Sequence, residues 1–539
     1  MVMATPWNPP IPLSRREERL CEKLRKHRRF FRFLRLHRHT LFAGGFEEQL
    51  IALYSDSPRG TPPLPPALLT LVILLQSFTG SSDDDAVQLA ETDLRWQMVL
   101  DCVGAEDAPF RKTTLVDFRK RLVGAGFGSE LLRRTADLAR RSGDFDPKKV
   151  TVLRVAVDSL PLEGVGRVED TLNLLARALR LLVAALAASL LVKPEQICAQ
   201  AGLRILSATS PKAGLDRDWD ETGSMDAALT DLMEEVERLR RWVHTQHPDA
   251  LRMRTVAAAE EQLKKLVAQD TEPCASGGHR VIQMVAEDRQ LSLFDPEMRH
   301  GRKSKTERID GYKTYLALDL DTEVTLAAGV LPANVPEKDG ADKLKPHVTA
   351  QGEVVQLQID RAFIASAWAQ ELATEDVTKV ICRAPHPAER DLYSKSDFDI
   401  DLDRATVSCP AGQTVPIEHV GERRRALFPR GVCRACPERL ACQGEKNPPG
   451  RTVNILPHEA LMQRSAEQAK TPEGRARLRE RVKVEHANAR HAQRNHGRAR
   501  YVGVAKNDFD AARIAAANNL LRMDLRQRQA DHSPGHQAA

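Results

Sequence analysis

Aromatic residues are scarce. Phe, Trp and Tyr make up 5% of the 539 positions, and the abundance of Ala, Leu and Arg tilts the chain toward helix. Long apolar runs are missing too. The most membrane-like stretch, Leu181–Val192, is twelve uncharged residues bounded by Arg180 and Lys193. Crossing a bilayer takes about 20 apolar residues, so this stretch reads as a buried helix. The Pro-rich start MVMATPWNPPIPL runs into charge, with no apolar stretch before a small-residue cleavage site, and so does not read as a secretory signal. The expectation is a soluble cytoplasmic protein with no membrane partner. A disulfide framework is also absent: of nine cysteines, Cys21, Cys102, Cys198, Cys274 and Cys382 stand alone. The other four fall within 34 residues, which suits a metal in a reducing compartment better than disulfides.

What is present is length and clustered charge. A chain of 539 residues exceeds one core, so two to four domains are expected. The net charge of +6 is uneven. Arg15–Arg38 holds eleven Lys/Arg against three Glu, and Glu473–Arg500 holds nine against three, so the rest of the chain nets to −8. Positive clusters on an otherwise acidic chain suit a polyanion partner, although solvated helix faces give the same pattern.

Residues up to about 145 read as short helices. Ala67–Phe78 follows Pro-Pro, Ser81-Ser82-Asp83 can cap a helix over Asp84–Glu91, and Thr113–Leu122 is basic with Leu115, Phe118 and Leu122 at helical spacing. A helix-turn-helix-like DNA-binding module fits, as does a plain bundle. Val150–Val157 then reads as a buried strand ending at Asp158. Helical periodicity returns from Thr171 to Asp270, with a polar loop over Ser207–Gly223. Tyr312–Leu320 and Glu323–Leu331 form a predicted hairpin turning at Asp321-Thr322. Ala341–Thr349 reads as a helix, Val354–Ile359 as a strand ending at Asp360, Ile364–Leu372 as a helix and Thr378–Cys382 as a strand. Residues 385–455 look irregular. One long helix is expected over Arg475–Asn495, and Ala511–Met523 closes the fold.

Strand ends of an α/β sheet gather ligands. Asp158 and Asp360, with Glu485 from the late helix, would repel one another unless a cation joined them, and oxygen donors select Mg²⁺ or Mn²⁺. Two such ions support in-line attack on a phosphodiester without a covalent protein nucleophile. A lone Asp at a strand end is more often a turn former. Glu480 competes with Glu485 but lies five residues, about 500° of turn, away on another face. Cys409, Cys433, Cys436 and Cys442 have the spacing C-x23-C-x2-C-x5-C, which suits a structural Cys₄ zinc site. Four reduced thiols in a loop, or a set in which His419 replaces one cysteine, remain alternatives.

Four ordered blocks resemble the DDE transposases of bacterial insertion sequences: Ala156–Leu179 around Asp158, Arg299–Asp319 (a basic stretch running into Gly-Tyr-Lys), Gln358–Ser366 around Asp360, and Arg481–Gly503 around Glu485. Phe46–Val123 is similar to the helical domain that precedes the catalytic core in these proteins. The chain departs from the pattern at Ala362-Phe363, Leu478 and Ala492. The resemblance implies an α/β RNase H-like catalytic core, in which the residue patterns above place a helical insertion and a zinc-binding insertion, preceded by an all-α N-terminal domain. It assigns Asp158, Asp360 and Glu485 as catalytic metal ligands for Mg²⁺ or Mn²⁺, with Zn²⁺ structural. Arg302, Lys303, Lys305, Tyr312, Lys313 and Arg481 would contact DNA, although ordinary strand packing also explains Tyr312. The expected division is a basic arm at 1–45, a helical DNA-binding domain at 46–145 and the core at 146–384, with its helical insertion at about 171–270. The zinc-binding insertion is expected at 385–455, the rest of the core at 456–525 and a disordered tail at 526–539. The implied activity is metal-dependent cleavage and strand transfer of its own insertion sequence. A homodimer on terminal inverted repeats and target DNA is expected, associated with the nucleoid. The alternatives are a catalytically decayed zinc-containing DNA-binding protein and a metal-dependent nuclease without strand transfer.

Overall fold

A computed structural model describes residues 4–25, 29–54, 62–141, 151–383, 392–445 and 450–531, apart from 209, 216, 222, 276, 284–285, 304–305 and 422. The N-terminal region is helical, with α1 (Arg15–Lys23), α2 (Arg29–Phe42), α3 (Phe46–Ile51), α4 (Pro66–Thr79), α5 (Asp83–Thr92), α6 (Leu94–Leu100), α7 (Lys112–Gly124) and α8 (Phe127–Arg141). The sequence PALLTLVILLQSFT is apolar all round, and α4 is accordingly buried from Pro66 to Ser77. Proline starts this helix, and Gly80 at φ +73° ends it in the left-handed conformation that glycine adopts without strain. Ser82 and Asp85 close a capping box on α5, at the cap expected from Ser81–Asp83.

The first 45 residues are not an arm. Phe30, Phe31, Phe33 and Leu34 of α2 are core residues, and Arg35 and Arg38 are 1% exposed. Arg35 pairs with Glu17 at 2.6 Å, and Arg38 donates to the Val99 carbonyl at 3.0 Å. Part of the N-terminal basic cluster is therefore internal.

The largest sheet has six strands. β1 (Val152–Glu163) comes first, followed by the helical insertion: α9 (Thr171–Leu190), α10 (Pro194–Ala201), α11 (Pro211–Leu215), α12 (Ser224–Gln246) and α13 (Arg254–Asp270). The short α11 lies within the stretch expected as a loop. A small ribbon of β2 (Thr271–Pro273) and β3 (His279–Val281) closes this insertion. Of the described helices, α9 alone is long and apolar enough to cross a membrane, and more than half of its apolar window is packed inside the insertion. The sheet resumes with β4 (Arg299–Arg302), β5 (Arg308–Asp319), β6 (Thr325–Pro332), α14 (Glu337–Thr349), β7 (Glu353–Ile359), α15 (Ala367–Glu375) and β8 (Val380–Cys382). The order is β4-β5-β1-β7-β8, with β6 also on β5. β5 runs antiparallel to β1, β4 and β6, while β1, β7 and β8 are parallel. The β5–β6 turn is longer than two residues, because buried Asp319 accepts from Thr322 and draws the loop inward.

Of the stretch 385–455 expected to be irregular, residues 385–391, 422 and 446–449 lie outside those described, and the rest is ordered. β9 (Asp399–Asp401), β10 (Thr406–Ser408), β11 (Thr414–Val420), β12 (Arg423–Phe428) and β13 (Arg451–Ile455) form an antiparallel sheet, with α16 (Arg430–Arg434) and α17 (Arg439–Gln443) beside it. Phe398, Ile400, Val407, Ala426, Phe428, Val453 and Ile455 give it a core of its own.

The remaining helices are α18 (Glu459–Lys470), α19 (Pro472–Arg479), α20 (Val482–Asn495) and α21 (Val504–Asp531). The helix expected over 475–495 is thus two, broken at Glu480-Arg481. Helix α21 continues past residue 525, where a tail was expected, and residues 532–539 lie outside those described. It lies between α4, α8 and β6, so Leu69, Leu131, Val330, Ala516 and Leu520 belong to one core. Arg513 donates to Ser77 Oγ at 2.7 Å, Arg500 to the Ser81 carbonyl at 2.9 Å and Arg494 to the Phe78 carbonyl. These bonds satisfy polar groups around the end of α4 that the helix leaves unpaired. The boundary expected near 145 therefore does not separate two independent cores.

Candidate active site

β1 does not end at Asp158. Its antiparallel pairing with β5 continues to Glu163, whereas its parallel pairing with β7 stops at Ala156 opposite Gln358. Asp158 and Asp360 each lie two residues past that last pair, so both acids fall where β7 ends and β1 acquires an open edge. Pro161, further along this edge, is tolerated because edge strands can lose a donor. Asp158 shares a face with Ala156 by strand alternation. On that face Ala156, Leu318 and Leu320 pack against Val484 and Ala487, which docks α20 over the strand ends.

The break between α19 and α20 has a tertiary cause. Glu480 is drawn to Arg154 and to Gln358 Nε2, the latter at 3.2 Å, and Arg154 also holds Asp321 at 3.0 Å. Arg481 turns inward, 1% exposed. It donates to the Val157 carbonyl at 3.3 Å and reaches Asp158 Oδ1 at 3.4 Å and Asp360 Oδ2 at 3.3 Å. The Glu485 N–H bonds the Arg481 carbonyl at 3.2 Å, which sets the glutamate one turn further along. Its carboxylate pairs with Arg383, just past β8, at 3.3 Å.

Burial pushes the Asp158 carboxyl above the usual range. Arg481 opposes that shift, while the negative charges of Asp360 and Glu485 add to it. The three acids therefore feel one another, although Asp158 is enclosed and the other two are about half exposed. Among the described residues, no group of three His, Cys, Asp or Glu side chains is gathered closely enough to hold a metal as it stands. The Arg481 guanidinium spans the two aspartates, and Glu485 leans toward Arg383. The donor chemistry nonetheless fits a hard divalent cation, since every candidate donor is a carboxylate oxygen. Cys382 beside Asp360 adds no soft donor, because burial pushes its thiol up to about 12.

The other expected contacts divide. Tyr312 is fully buried, with its hydroxyl on Asp295, and Lys313 is buried against Glu337 at 2.8 Å. Both are packing residues of β5 and cannot meet DNA. Arg481 is equally enclosed, so its charge serves the aspartates and not a phosphate. Arg302 and Lys303 are exposed where the β4–β5 hairpin leaves the sheet, and Lys305 lies outside the described residues. Gly311 allows β5 to approach the chain at Gly164 closely: a Cβ there would sit 2.3 Å from the Gly164 nitrogen. Cys409, Cys433, Cys436 and Cys442 line one small pocket with Phe398 and Phe428. Burial and the other three sulfurs raise the Cys442 thiol, which Arg451 partly offsets. His419 stands exposed on β11, opposite Arg424. Sequence reasoning missed Arg383, Asn488 and the Arg154–Glu480 pair. Only Asn488 carried a signal, three residues after Glu485 on the same helix face.

Two family models match the chain: a transposase domain of otherwise uncharacterised role over residues 22–121, and a transposase DDE domain over residues 408–524. No curated protein and no solved structure matches. The first match begins within α1 and takes in α2, in keeping with the packing of that helix into the core. The second contains Glu485 and the four clustered cysteines, while Asp158 and Asp360 lie outside it. A DDE domain implies an RNase H-like core, in accord with the mixed sheet and its helical N-terminal region. Matches to transposase families at both ends of the chain support an insertion-sequence-type DDE transposase.

Proposed function

We propose that this transposase cleaves DNA at the ends of its own insertion sequence and joins the freed 3′-hydroxyls to target DNA, using Asp158, Asp360 and Glu485 as ligands for Mg²⁺ or Mn²⁺. The observation that carries the reading is the meeting of Asp158 and Asp360 across buried Arg481 where β7 ends, with Glu485 close enough for its charge to act on Asp158. When bound, such ions would activate the attacking oxygen and stabilise the leaving one. Asp158 and Asp360 are fixed by the sheet and Glu485 by α20, so the helix sets the third ligand against two rigid ones. Arg481 places its positive charge between the two aspartates and opposes the effect of burial on Asp158. Arg302 and Lys303 extend the site along the protruding hairpin, where each cation can neutralise a phosphate. Two chains would hold the two terminal inverted repeats.

The four cysteines form, in this reading, a structural zinc site, supported by their shared pocket and uniform sulfur chemistry. The test of activity uses full-length protein, Mg²⁺ or Mn²⁺, and DNA carrying the element's terminal repeats. Joined products should disappear in Asp158→Asn, Asp360→Asn and Glu485→Gln. Cleavage persisting in all three would sink the assignment. Cleavage without joining in the parent protein would make it a nuclease.

A further inference from the structure

Asn488 lies one turn beyond Glu485 on α20, on the same face, and two turns beyond Arg481. Its Nδ2 donates to Asp158 Oδ2 at 2.9 Å, while Asp158 Oδ1 faces Arg481. The two oxygens of the enclosed aspartate thus have different partners, which fixes the plane of the carboxylate. The Asn488 Oδ1 is itself buried and has no hydrogen-bond partner among the described residues. A buried amide oxygen without a donor is unfavourable, so its surroundings ask for a cation or a water.

Docking of α20 does not explain this side chain. Arg481 bonds the Val157 carbonyl, Lys483 donates to the Leu320 carbonyl at 2.7 Å, and Val484 and Ala487 pack on the sheet. The helix is held without Asn488. We propose that Asn488 is a positioning residue of the acid site, holding Asp158 Oδ2 so that Oδ1 turns toward Asp360 and presenting its own Oδ1 to what the acids bind. The proposal rests on the metal-ligand reading of Asp158 given above. A donor on one carboxylate oxygen leaves the other oxygen with a set direction.

The test is Mn²⁺ binding to the full-length, DNA-free protein, with free Mn²⁺ followed by electron paramagnetic resonance. Asn488→Ala and Asn488→Leu, the second close to asparagine in shape, should each bind about tenfold more weakly, as loss of an orienting partner does. Their unfolding temperature should stay within a few degrees of the parent. In DNA cleavage, the Mn²⁺ concentration for half-maximal rate should rise in step, with the rate at saturation changing less. Parental Mn²⁺ affinity in both variants, with Asp158→Asn impaired, overturns the role of Asn488 alone. Parental affinity in Asp158→Asn overturns the acid site and this inference with it. Loss of the fold in both Asn488 variants also overturns it, because the residue would then be structural.

Discussion

The helical insertion at 171–270 and the cysteine-rich insertion at 392–456 each interrupt the core between two of the three acids, yet they hold together by different means. In the first, helices α9 to α13 bury a cluster of twenty-seven residues that includes Leu179, Leu186, Leu232, Val236 and Leu263. In the second, seven buried residues among those described sit under three- to seven-residue strands, with Cys409, Cys433 and Cys442 packed against them. Small units with little buried apolar area depend on cross-links or metals. The contrast sets an insertion with a large buried core beside one with a small core and a cluster of four sulfurs.

Removing a sulfur donor tests the contrast most severely. Cys433→Ser should lose one zinc per chain by elemental analysis and expose residues 392–456 to limited proteolysis, because structural zinc supplies folding energy outright. Purified parent protein that carries no zinc would break the comparison. Next in size, Leu232→Ala should cost about 2–5 kcal/mol of helical-insertion stability in denaturant unfolding. That loss should be the same with and without a chelator, and chelator sensitivity would show that the insertions are not independent. The smallest effect is at Leu191, 93% exposed at φ +55° where α9 ends. Leu191→Gly should stabilise the helical insertion by about 1 kcal/mol in the same assay, by removing left-handed strain at a side chain that packs on nothing.

The sequence made some parts legible for simple reasons. The β-branched run before Asp158 and the apolar strand before Asp360 announce buried strands, and α4, α9 and α12 follow from periodicity and caps. The second insertion stayed hidden because its strands are short, its cysteine and arginine content masks alternation, and its pairings join distant residues. The break at Glu480-Arg481 has no local cause; Arg154 and the Val157 carbonyl create it. Tyr312 and Lys313 looked like DNA contacts because the sequence does not reveal Asp295 and Glu337 waiting beside them. The acids were proposed from strand ends and resemblance. The structure adds their shared register and the arginine between two of them, neither of which is written in any local pattern.

Helix α21 has a consequence for how the molecule is made. Synthesis delivers α4 and α8 first, then β6, and the helix that lies between them arrives only with residues 504–531. Until those residues leave the ribosome, the sides of α4 and β6 that face α21 stay uncovered, and the contacts that close them span more than 400 residues in the case of α4. Such long-range closure is slow to form, and partial chains with exposed apolar surface are prone to aggregate. A message cut short anywhere before α21 would therefore yield neither a folded helical region nor a closed sheet. Residues 504–531 thus decide whether what is made before them becomes a folded protein.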